Sequence, residues 1–189
     1  KWTVLDKRLT ATAALYQIER SNLATPNPQA PASTILVGKQ SSRGLELALD
    51  MRPLPGLTVQ ASAAFVDPRF DDFSQTRAGQ LISLNGNTPP NTPKRVGSVH
   101  VHYAFTPNWH ASVSMRSVGK VYGDNTNTLS APGYTLFDLG LGYRYNKNIS
   151  LRASLRNAGN KLYATNVTAT PMFYLGQPRT ADLSLRAAF

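Results

Sequence analysis

His100 and His102 stand two residues apart in Ser98-Val99-His100-Val101-His102-Tyr103, a stretch that alternates apolar and polar side chains. On a strand that spacing turns both rings to one face, where with an Asp or Glu nearby they could ligate a metal. His110 is the one further histidine, beyond a turn, and histidines on a wet face need no metal to account for them. Glu46 and Asp50 share a face at a spacing of four, and two carboxylates so placed could divide acid and base roles. The competing expectation is that they form salt bridges with Arg52 and Arg152. The chain has no cysteine, which removes thiolate nucleophiles, iron–sulfur clusters, Cys-based zinc sites and disulfides. It also lacks a Gly-rich phosphate loop, a Ser nucleophile elbow and a metal-protease helix motif. The expectation is a protein that is not an enzyme, with no metal site and no cofactor.

The elements that must carry these residues are constrained by composition. Only 16% of the 189 residues are charged, against roughly 25% in an ordinary soluble domain, so a coiled coil or helical bundle is not expected. No run of about 18 apolar residues occurs, which excludes a transmembrane helix. The first residues, Lys1-Trp2-Thr3-Val4, lack the basic-then-apolar order of a signal peptide. The net charge is +10, yet the arginines are spread singly, as at Arg43, Arg52, Arg69, Arg77, Arg95, Arg116, Arg144, Arg152, Arg156, Arg179 and Arg186. Without clustering there is no footprint for nucleic acid.

A period of two recurs from end to end, and it predicts strands. Leu183, Leu185, Ala187 and Phe189 alternate with Asp182, Ser184 and Arg186. The same holds for Leu151 to Leu155, Phe137 to Tyr145, Val99 to Phe105, Leu57 to Phe65 and Leu45 to Met51, with less tidy strands around Thr10 to Arg20 and Trp109 to Val121. The reading is all-β, an antiparallel up-and-down meander of about eight strands, each near the 9 to 11 residues that a tilted strand needs to cross a bilayer. Tight links, Leu5-Asp6-Lys7-Arg8, Pro53-Leu54-Pro55-Gly56, Thr106-Pro107-Asn108 and Asn146-Lys147-Asn148, alternate with long ones at Ser21 to Thr34, Asp67 to Pro93, Lys120 to Pro132 and Ala164 to Pro178. In a meander that puts every short turn at one end and every long loop at the other, as in outer-membrane barrels.

In a bilayer the apolar face of such a sheet meets lipid and the polar face meets a wet lumen. Glu46, Asp50, Arg52, Arg116, Arg144, Arg152, Arg156 and Arg186 fit a lumen. Trp2, Tyr103, Trp109, Tyr122, Tyr134, Tyr143, Tyr145 and Tyr163 are the expected interfacial girdle.

The stretches Gly38-Lys39-Gln40-Ser41-Ser42-Arg43-Gly44-Leu45-Glu46-Leu47, Pro55-Gly56-Leu57-Thr58, Asn91-Thr92-Pro93-Lys94-Arg95, Pro132-Gly133-Tyr134-Thr135-Leu136-Phe137-Asp138-Leu139, Leu155-Arg156-Asn157-Ala158-Gly159-Asn160-Lys161-Leu162-Tyr163 and Gly176-Gln177-Pro178-Arg179 occur in this order. Together they resemble the C-terminal part of TonB-dependent outer-membrane receptors, above all the siderophore receptors, over essentially the whole chain. The resemblance implies that residues 1–189 are part of a transmembrane barrel of about 22 strands whose lumen is plugged. It implies a multi-pass protein of the Gram-negative outer membrane, a ferric siderophore as transported ligand, and TonB as partner through a plug domain. No plug or coupling box is found in this stretch. Leu183, Leu185 and Phe189 resemble the family's outer-membrane assembly signal, read by the barrel assembly machinery. In the long loops, Arg77, Tyr122, Phe173 and Tyr174 resemble the residue types that hold anionic or aromatic iron chelates. The same loops could contact lipopolysaccharide. As an open arc, the sheet would have edges at Leu9 to Arg20 and Ala181 to Phe189. Two alternatives stand beside this reading: a complete eight-stranded outer-membrane barrel with a structural or adhesion role, and a soluble ligand-binding β-sandwich.

Overall fold

Residues that alternate in polarity pair most stably when like faces like across the ladder, and that condition sets the register of the whole sheet. The computed structural model describes residues 1–4, 8–27 and 30–188, and all its regular elements are strands. In chain order these are β1 (Trp2–Val4), β2 (Leu9–Asn27), β3 (Ala30–Met51), β4 (Leu57–Asp72), β5 (Ser74–Arg77), β6 (Gln80–Ser83), β7 (Arg95–Ala104), β8 (Trp109–Val118), β9 (Val121–Tyr122), β10 (Ser130–Ala131), β11 (Tyr134–Arg144), β12 (Ile149–Arg156), β13 (Ala164–Val167), β14 (Phe173–Leu175) and β15 (Thr180–Ala187). Nine of them form one antiparallel sheet in the order β1-β2-β3-β4-β7-β8-β11-β12-β15. The pairs β5/β6, β9/β10 and β13/β14 are separate hairpins inserted in the long connections. The eight expected strands are all present. The ninth, β1, pairs Trp2, Thr3 and Val4 with Ala11, Thr10 and Leu9.

One apolar row, Val4, Leu9, Met51, Val59, Val101, Val113, Leu139, Leu155 and Ala181, crosses every strand of the sheet. The neighbouring row on the opposite face reads Thr3, Thr10, Asp50, Gln60, His100, Ser114 and Asp138. Among the described residues nothing packs a second layer on the apolar side. Leu15 is 83% exposed, Leu183 73% and Leu185 70%. A soluble sheet would bury such a face, and hydrocarbon is the surrounding that makes it stable. Among the described residues no helix is long and apolar enough to cross a membrane, a fact that concerns helices only.

The tight turns are built by local chemistry. Gly56, with φ of 78°, lets the β3–β4 turn close against the Ala104 backbone, whose N–H donates to Gly56 O at 2.8 Å. The Thr106 hydroxyl accepts from the Trp109 N–H at 2.9 Å, and the Asn146 carboxamide oxygen accepts from the Asn148 and Ile149 N–H groups at 2.8 Å. Of the first tight link, Leu5, Asp6 and Lys7 lie outside the described residues.

The long connections differ from expectation in two places. Ser21 to Thr34 is no loop: β2 and β3 continue pairing through it, from Leu23 with Gly38 to Asn27 with Ala30, past bulges at Arg20/Leu23 and Leu23/Ala24. Pro26 pairs with Thr34 within this ladder. A proline is tolerated at a sheet edge, and β1 covers only Leu9 to Ala11 of β2. Asp67 to Pro93 likewise begins as strand, since β4 runs to Asp72 before the β5/β6 hairpin.

The fully buried side chains lie at the long-loop end, not beneath the sheet. Val121, Ala131 and Val167 form a core cluster with Leu129 and Ala164 packed on it, and Leu84 is 2% exposed nearby in sequence to the buried Thr88. The aromatic girdle divides. Tyr103, Trp109 and Tyr143 carry the odd-numbered register of the apolar face near the short turns, with Trp109 and Tyr143 rings 4.6 Å apart, and the exposed Tyr145 follows just past the end of β11. Trp2 shares that face, in register with Ala11. Tyr134 instead pairs with Val118 on the polar face and its ring packs on Tyr163 at 4.5 Å, while Tyr122 belongs to a loop hairpin. These three are not part of a lipid-facing belt, because an even-numbered position or a loop excursion turns them away from it.

Candidate functional site

The long connections on one end of the sheet fold into a cap, and asparagines hold it together. Asn91, Asn127 and Asn157 have φ of 53°, 59° and 48°, a left-handed conformation that asparagine tolerates better than most side chains. Each then uses its carboxamide as a substitute peptide group. Asn127 Nδ2 donates to Thr88 O at 2.7 Å while the Thr88 N–H donates to Asn127 Oδ1 at 2.8 Å. Asn91 makes the same two-way pairing with Val167, at 2.9 and 3.1 Å, across 76 residues of sequence. Asn157 Nδ2 donates to Lys161 O and Gln177 O, and its Oδ1 accepts from the Lys161 N–H at 2.8 Å. Further links run from Asn87 to Asn125 O and from Asn125 to Gln75.

Asp124 organises the β9–β10 hairpin. Its Oδ2 accepts from the Thr126 and Thr128 hydroxyls and its Oδ1 accepts from the Leu129 N–H at 2.9 Å. Burial disfavours the charged form, but those hydrogen bonds and one from the Thr128 N–H outweigh it, holding the carboxyl down at about 2.

This cap carries the residues expected to bind ligand. Tyr122 lies in β9, where its backbone O accepts from the Asn91 N–H at 2.8 Å and the Lys120 ammonium stands 4.4 Å from its ring centre. Phe173 and Tyr174 lie in β14, in register with Val167 and Asn166. Since Val167 is held by Asn91, the three aromatics belong to one connected unit. Both Phe173 and Tyr174 are exposed. Arg77 is placed elsewhere, at the tip of the β5/β6 hairpin beside the positive-φ pair Ala78 and Gly79.

The polar face below the cap bears the remaining candidates. His100, Ser114, Asp138, Arg152, Arg156 and Asp182 line one cleft. His100 Nδ1 is 2.8 Å from Ser114 Oγ, and the His102 and His110 rings are 5.3 Å apart. No group of three His, Cys, Asp or Glu able to hold a metal occurs among the described residues. The expected salt bridges of Glu46 and Asp50 are corrected. Asp50 accepts from Gln60 Nε2 at 3.0 Å, and the ion pairs among the described residues are Arg69–Asp71, Lys94–Asp67 and Arg156–Asp182. Arg152 is on β12, five strands from β3 in the sheet order, about 24 Å away at the usual strand spacing. Arg52 lies beyond the end of β3, in the turn, where its N–H donates to Arg8 O.

Leu183 and Leu185 point to the apolar face, in register with Ala153 and Leu151. Phe189 lies outside the described residues. The asparagine clamps and Asp124 were not singled out from sequence. The available signal was Asp124-Asn125-Thr126-Asn127, an Asx-rich run that reads only as a loop until its partners are known.

Comparison with known proteins agrees with this geometry. The chain is 29% identical over 189 residues to the probable TonB-dependent siderophore receptor PiuA of Acinetobacter baumannii, covering 98% of the chain and 25% of that protein. It is 27% identical to the metal-pseudopaline receptor CntO of Pseudomonas aeruginosa, covering 98% of the chain and 26% of the relative. The crystal structure of PiuA superposes with a TM-score of 0.88 at 27% identity, over 98% of the chain and 27% of that structure. The chain thus spans about a quarter of the length of the relatives it matches. The family profile described as TonB dependent receptor-like, beta-barrel matches residues 1–158. An antiparallel sheet that is apolar on one face, polar on the other and capped by loops at one end is a piece of that barrel's wall, and the chain belongs to this family of outer-membrane β-barrel proteins.

Proposed function

We propose that the chain is the C-terminal part of the barrel of a TonB-dependent receptor that takes up a ferric siderophore or a similar metal chelate. The carrying observation is the separation of faces across all nine strands, with a stitched loop cap at one end. The relatives named above are receptors, which supports the same reading. In it, the apolar face meets lipid, the polar face lines the lumen, and Tyr122, Phe173, Tyr174 and Arg77 contact the chelate from the cap. It acts by binding and passage, not by bond-making. TonB engages the whole receptor through its plug, lipopolysaccharide surrounds the wall, and the barrel assembly machinery reads Leu183, Leu185 and Phe189. The open strand order, with β1 and β15 at its two ends, favours a segment of a larger wall over a complete small barrel.

The test is uptake of radioactive iron by iron-starved cells whose only siderophore receptor is the full-length protein. Accumulation should require both a chelate and an energised inner membrane, and should fall when Tyr122, Phe173 and Tyr174 are changed to alanine. Iron accumulation independent of receptor, chelate and energy would overturn the proposal.

A further inference from the structure

We propose that the polar face carries a site for a phosphate-class anion at its short-turn end, where Arg144, Arg152 and Arg186 surround Ser150. The inference rests on the barrel-wall reading above, which makes that face a wet lumen. The three arginines stand singly in sequence, and strand register is what gathers them. Ser150 on β12 pairs with Arg144 on β11 and with Arg186 on β15, so these three form one row of the ladder. Arg152 stands in the next row, between Gly142 and Ser184. Arg144 and Arg186 are therefore two strands apart, about 10 Å, and Arg152 is diagonal to both at about 7–8 Å. Arg144 lies six residues from Asp138 on β11, hence on the same polar face.

The first support is the lack of a counter-charge. Among the described residues no carboxylate lies in either row, and none of the three exposed arginines takes part in an ion pair. The acid one row further on, Asp182, is held by Arg156 at 2.7 Å, and Asp138 beyond it accepts from the Asn157 N–H at 2.8 Å. Three like charges so close repel one another, and a multivalent anion between them relieves that repulsion.

The second support is the way the cluster is built. The Arg144 N–H donates to Asn108 O at 2.8 Å while Asn108 Nδ2 donates to Arg144 O at 2.8 Å, so Arg144 is fixed from the β7–β8 turn as well as from β12. The His110 ring lies over Gly142 and walls the cluster on the β8 side. Three guanidiniums around the Ser150 hydroxyl bring donors to one point from three directions and from below. That arrangement matches the four oxygens of a phosphate better than the two of a carboxylate. Tyr143, Leu151 and Leu185, which alternate with these residues, form the row on the apolar face, so the cluster is turned away from lipid. Its ligand is water-borne, either inorganic phosphate or a soluble phosphate ester.

The full-length receptor in detergent, checked for heat-modifiable gel mobility, is titrated by calorimetry with inorganic phosphate, glycerol phosphate and acetate at one ionic strength. Both phosphates should bind about tenfold more tightly than acetate, and R152Q or R144Q/R186Q should weaken them about tenfold. R152K keeps the charge but loses the fork, so it should bind phosphate more weakly than the parent and more tightly than R152Q. That variant still reads the site if the glutamine forms fail to fold. Arg43→Gln, at the long-loop end, should leave binding unchanged. Phosphate and acetate bound alike, no phosphate retained by the intact receptor, or affinity unmoved by R152Q and R152K would overturn the site. A preference for glycerol phosphate over inorganic phosphate, or the reverse, supports it and tells an esterified ligand from the free ion. A receptor with no heat-modifiable band would defeat the barrel-wall reading itself, a separate failure.

Discussion

The carboxamide of Asn91 lies against the backbone of Val167 as one strand lies against the next, giving and taking one hydrogen bond at 2.9 and 3.1 Å. Val167 has no exposed surface and centres the only hydrophobic cluster of the cap among the described residues. Replacing Asn91 with alanine strands a buried N–H and a buried C=O, each costing about 1–3 kcal/mol. The expected outcome in the intact receptor is faster amide exchange in 164–175 and 121–131 with the barrel strands unchanged. Unaltered exchange at Val167 would show that the clamp is dispensable.

Because Tyr122, Phe173 and Tyr174 share that clamped unit, their alanine variants should couple. Ferric chelate affinities of the single and combined variants should deviate from additivity by about 0.5–3 kcal/mol, whereas Arg77→Ala, on another hairpin, should add within about 0.5 kcal/mol. Strict additivity throughout would dissolve the shared unit.

Asp124 supplies a pH dependence. Its carboxyl is held at about 2 against 3.8 ordinarily, so the folded hairpin prefers the ionised form. A depressed folded value means that the stabilisation is complete above pH 3.8 and is lost as pH falls through about 2. The carboxyl carbon shift of Asp124, followed by NMR, should titrate with a midpoint near the lower value. A midpoint at or above the ordinary one would remove the hydroxyl and amide contacts from the account.

Gly44 lies directly beneath the ring of its cross-strand partner Tyr16, where an added Cβ would collide with the ring carbons and hydroxyl. Gly44→Ala should therefore destabilise the β2–β3 pair by about 1–3 kcal/mol, as overpacking does. Adding Tyr16→Ala should recover most of that loss, read as the temperature at which heat-modifiable mobility disappears. No recovery would mean that the backbone conformation of Gly44, not the space above it, is what matters.

Leu139 sits mid-row on the apolar face, 44% exposed with no protein layer over it. An arginine there should cost about 2–4 kcal/mol of barrel stability in lipid. Its neighbour Gly140 faces the other way, beside Ser112. Equal folding yields of the leucine and arginine forms would contradict lipid contact.

Strands and register were legible because alternation is a local property: Leu183, Leu185 and Ala187 reveal their face without reference to any partner. The three-residue β1 was too short to show it. Prolines misled at Ser21 to Thr34, where an edge position tolerates Pro26 and pairing persists through bulges. Residue type alone places Tyr134 on the lipid side, but its position next to Thr135 turns it to the polar face. The cap was hidden for a different reason. Asn91 and Asn127 act on residues 76 and 39 positions away, and no period or spacing in the chain announces such partners.

The placement of the buried cluster at the loop end means that two parts of one chain answer to different solvents. The wall is held by backbone pairing that hydrocarbon enforces at any temperature. Val121, Ala131 and Val167 are held together by water, and that force carries a large heat capacity and weakens on cooling. A chilled cell would therefore find the loop cap loosening first, while the sheet beneath it keeps its shape.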